Sequence, residues 1–265
     1  MMEYQSILYA KEEGAAIITF NLPHKRNAIT AQMAQEIDLA LSDAEGDTNV
    51  TAVVLTGGEK YFTAGMDVSD IISGQGEEPT SVRMYEMYYP TQAVFRHMSR
   101  MSKPTIAAIA GYAFGGGFEM ALCCDFRIAT ENATFGLPEI TLGIMPGAGG
   151  TQRLSRMIGI ARAKELVLTG ETILADQAYA FGLLTKVVKE GALLSEAKAY
   201  AGKFTRLPPF GVRIAKTILD KGINMGMEDA LELEKLGFCM LYSTEDQKEG
   251  LRAFAEKRLP QFKGR

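Results

Sequence analysis

The sequence predicts an α/β fold, a parallel sheet flanked by helices, with a last third that is almost wholly helical. Short apolar runs at Ala52-Val53-Val54-Leu55-Thr56, Thr105 to Ala110 and Phe126 to Ala129 lack the polar alternation of a half-exposed sheet. Such runs fit strands covered on both faces. Segments of helical spacing lie between them, and strands that alternate with helices pair in parallel. From about Pro146 onward, helical periodicity dominates.

Taken in order, Ser6 to Ala10 and Ala15 to Asn21 read as two strands joined by Lys11-Glu12-Glu13-Gly14, a hairpin spacing. Ile29, Met33, Ile37, Ala40, Leu41 and Ala44 then recur on one helical face, with Thr30 in place to cap it. After the 52–56 strand and Gly57-Gly58, the stretch Ser73 to Thr80 reads as a flexible loop. A Met- and Tyr-rich helix from Met84 to Met101 follows it. The later helices are expected at Thr151 to Ile158, Ala161 to Leu168, Ala175 to Phe181, Leu193 to Phe204, Pro209 to Leu219, Met227 to Leu241 and Glu245 to Lys257. Pro208-Pro209 is a start signal for one of them. The chain is expected to comprise a core over residues 1–200 and a C-terminal helical region over 201–265.

The chain has 265 residues, 47% hydrophobic and 23% charged, with a net charge of −4. This is a globular composition without the basic footprint of a nucleic-acid or membrane-surface protein. Cys123, Cys124 and Cys239 form no disulfide framework, and the adjacent pair lies in an apolar run. His24 and His97 stand far apart, so neither a metal site nor a histidine triad is expected. The N-terminus lacks the regions of a secretory signal, and no apolar run is long enough to span a bilayer. The expected setting is the cytoplasm, or an organelle matrix after import.

Chemistry concentrates in three segments. In Ala64-Gly65-Met66-Asp67, beyond the 52–56 strand, the residues suit either a plain turn or a ligand loop at the carboxyl end of a strand. Gly115-Gly116-Gly117-Phe118-Glu119 stands between a strand and an apolar helix. Its glycines serve either close approach to a ligand or tight helix–strand packing. Glu119 is either a functional acid or a charge that compensates the helix dipole. The third segment joins Glu139, in Pro138-Glu139, to Pro146-Gly147-Ala148-Gly149-Gly150-Thr151, a second glycine turn entering a helix. A carboxyl group beside bare N–H donors can move protons while the donors hold developing negative charge. Dinucleotide, phosphate-loop and nucleophile-elbow motifs are all absent from the sequence.

These segments, in this order, resemble the enoyl-CoA hydratase/isomerase (crotonase) superfamily. Asn21-Leu22-Pro23-His24-Lys25-Arg26-Asn27-Ala28-Ile29 is similar to the family's P-x-x-x-N-A turn. Ala175 to Leu184 is similar to its A-x-x-A-x-x-x-G-L-V helix and turn, and Glu249 to Arg258 to its closing helix. The resemblance implies a crotonase-like spiral of ββα units with a C-terminal α-helical trimerisation region, often assembled as a dimer of trimers. It implies a CoA thioester substrate and no metal or redox cofactor. It maps the oxyanion-binding N–H groups onto Ala64 and Gly116, and the hydratase glutamate pair onto Glu119 and Glu139. In that mapping Glu119 orients and deprotonates water and Glu139 delivers a proton to the α-carbon, roles that can be shared or exchanged. CoA is expected along Lys25, Arg26 and Ala28 and along Ala64, Gly65, Met66 and Asp67. Phe254 and Lys257 are expected at its nucleotide end, from a neighbouring subunit. Met66, Met84, Tyr85, Met87, Tyr88, Phe135, Ile144 and Met145 are the acyl-pocket residues so implied, against plain core filling, and Arg83 is the one cation nearby for a charged acyl tail. The expected reaction is reversible hydration of a 2-enoyl-CoA to a 3-hydroxyacyl-CoA. The alternatives are a Δ3,Δ2-enoyl-CoA isomerase or another CoA thioester reaction through the same enolate, or a non-catalytic or RNA-binding member of the fold.

Overall fold

The computed structural model describes residues 4–67 and 80–265, except for the side chains of Arg83 and residues 87–91. The loop expected at Ser73 to Thr80 therefore lies almost wholly outside the described residues, as do the side chains of Arg83, Met87 and Tyr88.

Strands β1 (Ile7–Glu12) and β2 (Ala15–Phe20) form the predicted antiparallel hairpin. Helix α1 (Ala31–Gly46) follows, and the Thr30 hydroxyl accepts the Met33 N–H at 3.1 Å, the expected N-cap. Then come β3 (Ala52–Thr56), α2 (Ser81–Arg100), β4 (Thr105–Ile109), β5 (Tyr112–Phe114) and α3 (Gly116–Cys123). Next are β6 (Phe126–Thr130), β7 (Thr134–Gly136) and a 3-10 turn over Pro138–Leu142. Helices α4 (Gly150–Ile158) and α5 (Ile160–Thr169) precede β8 (Thr172–Leu174), α6 (Ala175–Ala180), β9 (Lys186–Val188) and α7 (Leu193–Ala201). The chain closes with α8 (Pro209–Gly222), α9 (Met227–Leu241) and α10 (Glu245–Ala255).

Among the described residues the main sheet runs β1-β2-β3-β4-β6-β9, parallel from β2 onward. Alternate residues of each strand enter different cores. Ile18, Val53, Leu55, Ala107 and Ile109 share one core with the fully buried Met33, Ile37 and Leu41 of α1. Ile17, Val54, Ile106 and Ile128 face Leu193, Ala197 and Ala201 of α7. Because both faces are covered, these strands read as unbroken apolar runs. Each such Val, Leu or Ile contributes about 1.5–3 kcal/mol through removal from water.

A second, small sheet has the order β5-β7-β8. Its strands are three residues each, too short to leave a periodic signal in sequence. The parallel pairing of β5 with β7 sets Phe114 opposite Gly136. It thereby brings the chain after β5, Gly115-Gly116, beside the chain after β7, which leads to Glu139.

The predicted helix to Phe204 ends at Ala201, and Phe204–Arg206 forms a separate 3-10 turn. The closing helix ends at Ala255, and Lys257 has a left-handed φ of 54°. Helices α8 and α9 pack together where Gly237 meets Ile214 and Ile218. Lys216 of α8 ion-pairs with Asp125 beside the sheet, and Asp125 also accepts the Thr105 N–H at 2.8 Å.

Candidate active site

Glu119 lies in the first turn of α3 and is only 1% exposed. Its Oε1 accepts the N–H of Ala148 at 2.8 Å and of Gly150 at 2.7 Å. Its Oε2 has no hydrogen-bond partner among the described residues. Burial pushes the carboxyl up to about 7 against the pull of the Gly150 N–H, and the nearby Glu139 charge adds to the rise. A simple dipole-compensating surface glutamate would be exposed and acidic, so that reading of Glu119 does not hold.

Glu139 sits on the 3-10 turn after β7, half-buried. Burial raises its pKa as well. Its Oε2 is buried without a partner among the described residues, a costly arrangement for a carboxyl group unless a ligand or water completes it. Gly115 joins the two glutamates: its carbonyl accepts the Glu119 N–H at 2.9 Å, and the place its Cβ would take is 3.1 Å from Glu139 Oε1. The two expected acids, 20 residues apart in sequence, therefore share one site.

The main-chain donors require a correction. The Ala64 N–H donates to the Arg26 carbonyl at 3.1 Å and is occupied. Met66 instead forms a parallel bridge with Ile29: Ile29 donates to the Gly65 carbonyl at 2.8 Å and accepts the Asp67 N–H at 3.1 Å. In a parallel ladder this pattern turns the amide of Met66 itself away from its partner. The Met66 and Gly116 N–H groups make no hydrogen bond among the described residues. They are neighbours, since a Cβ on Gly116 would lie 3.4 Å from Met66 N and 2.7 Å from Met66 Cγ. Gly116 also begins α3, where the positive end of the helix dipole faces outward.

The turn bearing Lys25, Arg26 and Ala28 is shaped by Asn27, a buried residue with φ of 55°. The Asn27 amide donates to the Gly57 carbonyl at 3.1 Å and the Phe62 carbonyl at 3.3 Å, and its Oδ1 accepts the Leu22 N–H at 3.0 Å. This ties the turn to the exit of β3. Lys25 pairs with Asp67 at 2.6 Å, linking the turn to the Ala64–Asp67 loop. Arg26 is exposed beside them. Phe254, 85% exposed, and Lys257 lie at the surface end of α10 and make no ring contact, hydrogen bond or ion pair with this site among the described residues.

Of the acyl-pocket residues, Met66 and Met84 are half-buried, while Tyr85, Ile144 and Met145 are exposed. Phe135 is instead fully buried against Phe118, so it fills core. Sequence reasoning missed Arg127. This buried side chain donates to the carbonyls of Ala121, Cys124, Asp125 and Leu183, gripping the C-terminal end of the helix that carries Glu119. A cation there also suits the helix dipole. No group of His, Cys, Asp and Glu among the described residues could hold a metal ion.

The family model for enoyl-CoA hydratase/isomerase matches residues 10–265. The chain belongs to that family, and its fold is the crotonase fold with a helical C-terminal region. A short-chain-enoyl-CoA hydratase from Clostridium acetobutylicum is 41% identical, with all of both chains covered. A crotonyl-CoA hydratase from Syntrophomonas wolfei is 40% identical over 98% of this chain and 99% of the relative. The crystal structure of an enoyl-CoA hydratase from Bacillus anthracis superposes with a TM-score of 0.93 at 37% identity, covering 98% of this chain and 100% of that one. No helix of the described residues is long and apolar enough to cross a membrane.

Proposed function

We propose that this protein is an enoyl-CoA hydratase that adds water reversibly to a short-chain 2-enoyl-CoA, giving the 3-hydroxyacyl-CoA. The observation that carries the reading is that a buried carboxyl group, Glu119, and a half-buried one, Glu139, both with raised pKa values, lie beside the neighbouring Met66 and Gly116 N–H groups, which are unpaired among the described residues. The thioester carbonyl accepts from the Met66 and Gly116 N–H groups, which draws electron density from the β-carbon. Water held by Glu119 attacks that carbon as Glu119 takes its proton. The carbon–carbon π pair moves toward the thioester oxygen, and the enolate is held by the two amides. Protonated Glu139 then delivers its proton to the α-carbon. Proton exchange between the two acids restores the resting state, so the atoms balance with water alone. This chemistry needs no metal or redox group, and CoA arrives as part of the substrate.

We place Lys25, Arg26 and Ala28 along the CoA moiety and Gly65, Met66 and Asp67 at the thioester end. The short-chain assignment draws on the two relatives named for short-chain and crotonyl substrates. Incubation with crotonyl-CoA is expected to yield 3-hydroxybutyryl-CoA. Isomerisation of a 3-enoyl-CoA without hydration of the 2-enoyl isomer would overturn the reading.

A trimer, or a dimer of trimers, is our reading of the assembly. The C-terminal helices and the turn after α8 leave Leu219, Ile223, Met227, Phe238 and Phe254 exposed at 60–85%, apolar side chains that a neighbouring chain would cover. Phe254 and Lys257 would then serve a neighbour's CoA site. Sedimentation should return a mass of three or six chains, and a monomer would contradict the assignment. The unpaired thiols of Cys123, Cys124 and Cys239 fit a reducing compartment, and we place the enzyme in the cytoplasm.

A further inference from the structure

The loop from Gly147 to Gly150 supplies both N–H groups that hold Glu119, and it is itself held from two helices. Gln92 of α2 donates to the Gly147 carbonyl at 2.9 Å. Arg153 of α4 donates to the Ala148 carbonyl at 2.8 Å and, through its other terminal nitrogen, to the Ser99 hydroxyl at 3.0 Å. The Gly149 carbonyl accepts the N–H of Gln152 at 3.1 Å and of Arg153 at 2.8 Å. Peptide groups are planar and trans, so each carbonyl points opposite to the N–H of the next residue. Fixing the Gly147 carbonyl therefore aims the Ala148 N–H, and fixing the Gly149 carbonyl aims the Gly150 N–H. The Arg153 bond locks the plane between them.

Gly149 shows how tightly this is built. Its φ is 109°, and a Cβ there would fall 2.0 Å from the Arg153 guanidinium. The left-handed backbone favours glycine here, and any Cβ would in addition force the Arg153 guanidinium to move. Gln92 and Ser99 lie two turns apart on one face of α2, so that helix and α4 grip the loop from both sides.

We infer that Arg153 and Gln92 are positioning residues for the hydration reaction: by fixing the 147–150 peptide planes, they hold Glu119 in the orientation that meets the attacking water. Neither side chain donates to Glu119 itself. This inference rests on the hydratase reading above. The groups that face Glu119 are the Ala148 and Gly150 N–H groups, Glu139, Arg153 and the buried Cys123 thiol. Arg153 is the cation among them and favours the ionised form of Glu119.

The test is steady-state hydration of crotonyl-CoA by the full chain as a function of pH, with thermal melting as a folding control. Arg153→Met is expected to lower kcat about tenfold to a hundredfold, the scale of an ångström-sized misplacement, with KM within about threefold. It should also move the Glu119 limb of the kcat–pH profile to higher pH, because both the positive charge and the aimed N–H groups are lost. Arg153→Lys keeps the charge but not the fork, so it restores the position of the limb more than the rate. Gln92→Leu should shift rate and limb in the same direction by less, and it decides the matter if Arg153→Met does not fold. An unmoved limb in the folded variants, whatever the rate, overturns the inference. Glu119→Gln separates the two levels. Full activity in that variant removes the hydratase reading and this inference together; inactivity there with an unmoved limb in the Arg153 and Gln92 variants removes this inference alone.

Discussion

Glu119→Gln is expected to lower kcat for crotonyl-CoA hydration by about 10²–10⁴, the usual worth of a positioned acid–base group, while making the folded protein more stable at neutral and alkaline pH. Glutamine keeps an oxygen to accept the Ala148 and Gly150 N–H groups but cannot take a proton from water. The gain in stability comes from burial. Folded Glu119 keeps its proton up to about 7, whereas in the unfolded chain it releases it near its ordinary 4.5. Between those values the folded state binds the extra proton, so this group's contribution falls as pH rises through the window and stays reduced above it. The difference between 4.5 and about 7 corresponds to roughly 3 kcal/mol. Melting of the two proteins at pH 5 and pH 8 checks this directly: the variant's advantage should be larger at pH 8. An advantage confined to pH 5 would mean that Glu119 is not a desolvated carboxyl. Glu139→Gln should cost a similar factor in kcat, because in the proposed mechanism Glu139 delivers the α-carbon's proton. Near-normal turnover in both variants is incompatible with the mechanism.

Gly115→Val is expected to lower kcat by about 10²–10³, the effect of losing one oxyanion donor. The backbone at Gly115 has φ of 51° and ψ of −128°, a conformation that a β-branched residue adopts only under strain. That strain is on the order of 1–3 kcal/mol. Any Cβ there also presses on Glu139 Oε1, at 3.1 Å. Relief of both is expected to rotate the turn, carrying the Gly116 N–H off the proposed oxyanion position and pushing Glu139 aside. Circular dichroism should show the same helical content, because the residue precedes α3 and the cores are untouched. Turnover within about threefold of the parent, in a folded variant, would show that the Gly116 amide is not the donor.

The parallel sheet and the helical tail were legible because they depend on periodicity. Residues 52–56 and 105–109 sit between two buried faces, so their apolar runs carry no polar alternation. Thr30 announced the start of α1 because a hydroxyl before an apolar helical repeat has one favourable partner, the N–H three residues on. The glycine clusters marked the places where backbone meets backbone, and the family resemblance named both glutamates. Residue types and local spacing thus carried the fold class and the chemistry-bearing segments. They did not carry which amide stays unpaired among the described residues: Arg26 takes the Ala64 N–H, while the approach of Ile29 turns that of Met66 away. Nor did they show that Phe135 packs as core, that Gly149 makes room for Arg153, or that burial lifts Glu119 to about 7. Those outcomes belong to contacts between distant segments: a hydrogen bond is spent or spare, and a charge solvated or stripped of water, according to what folds against it.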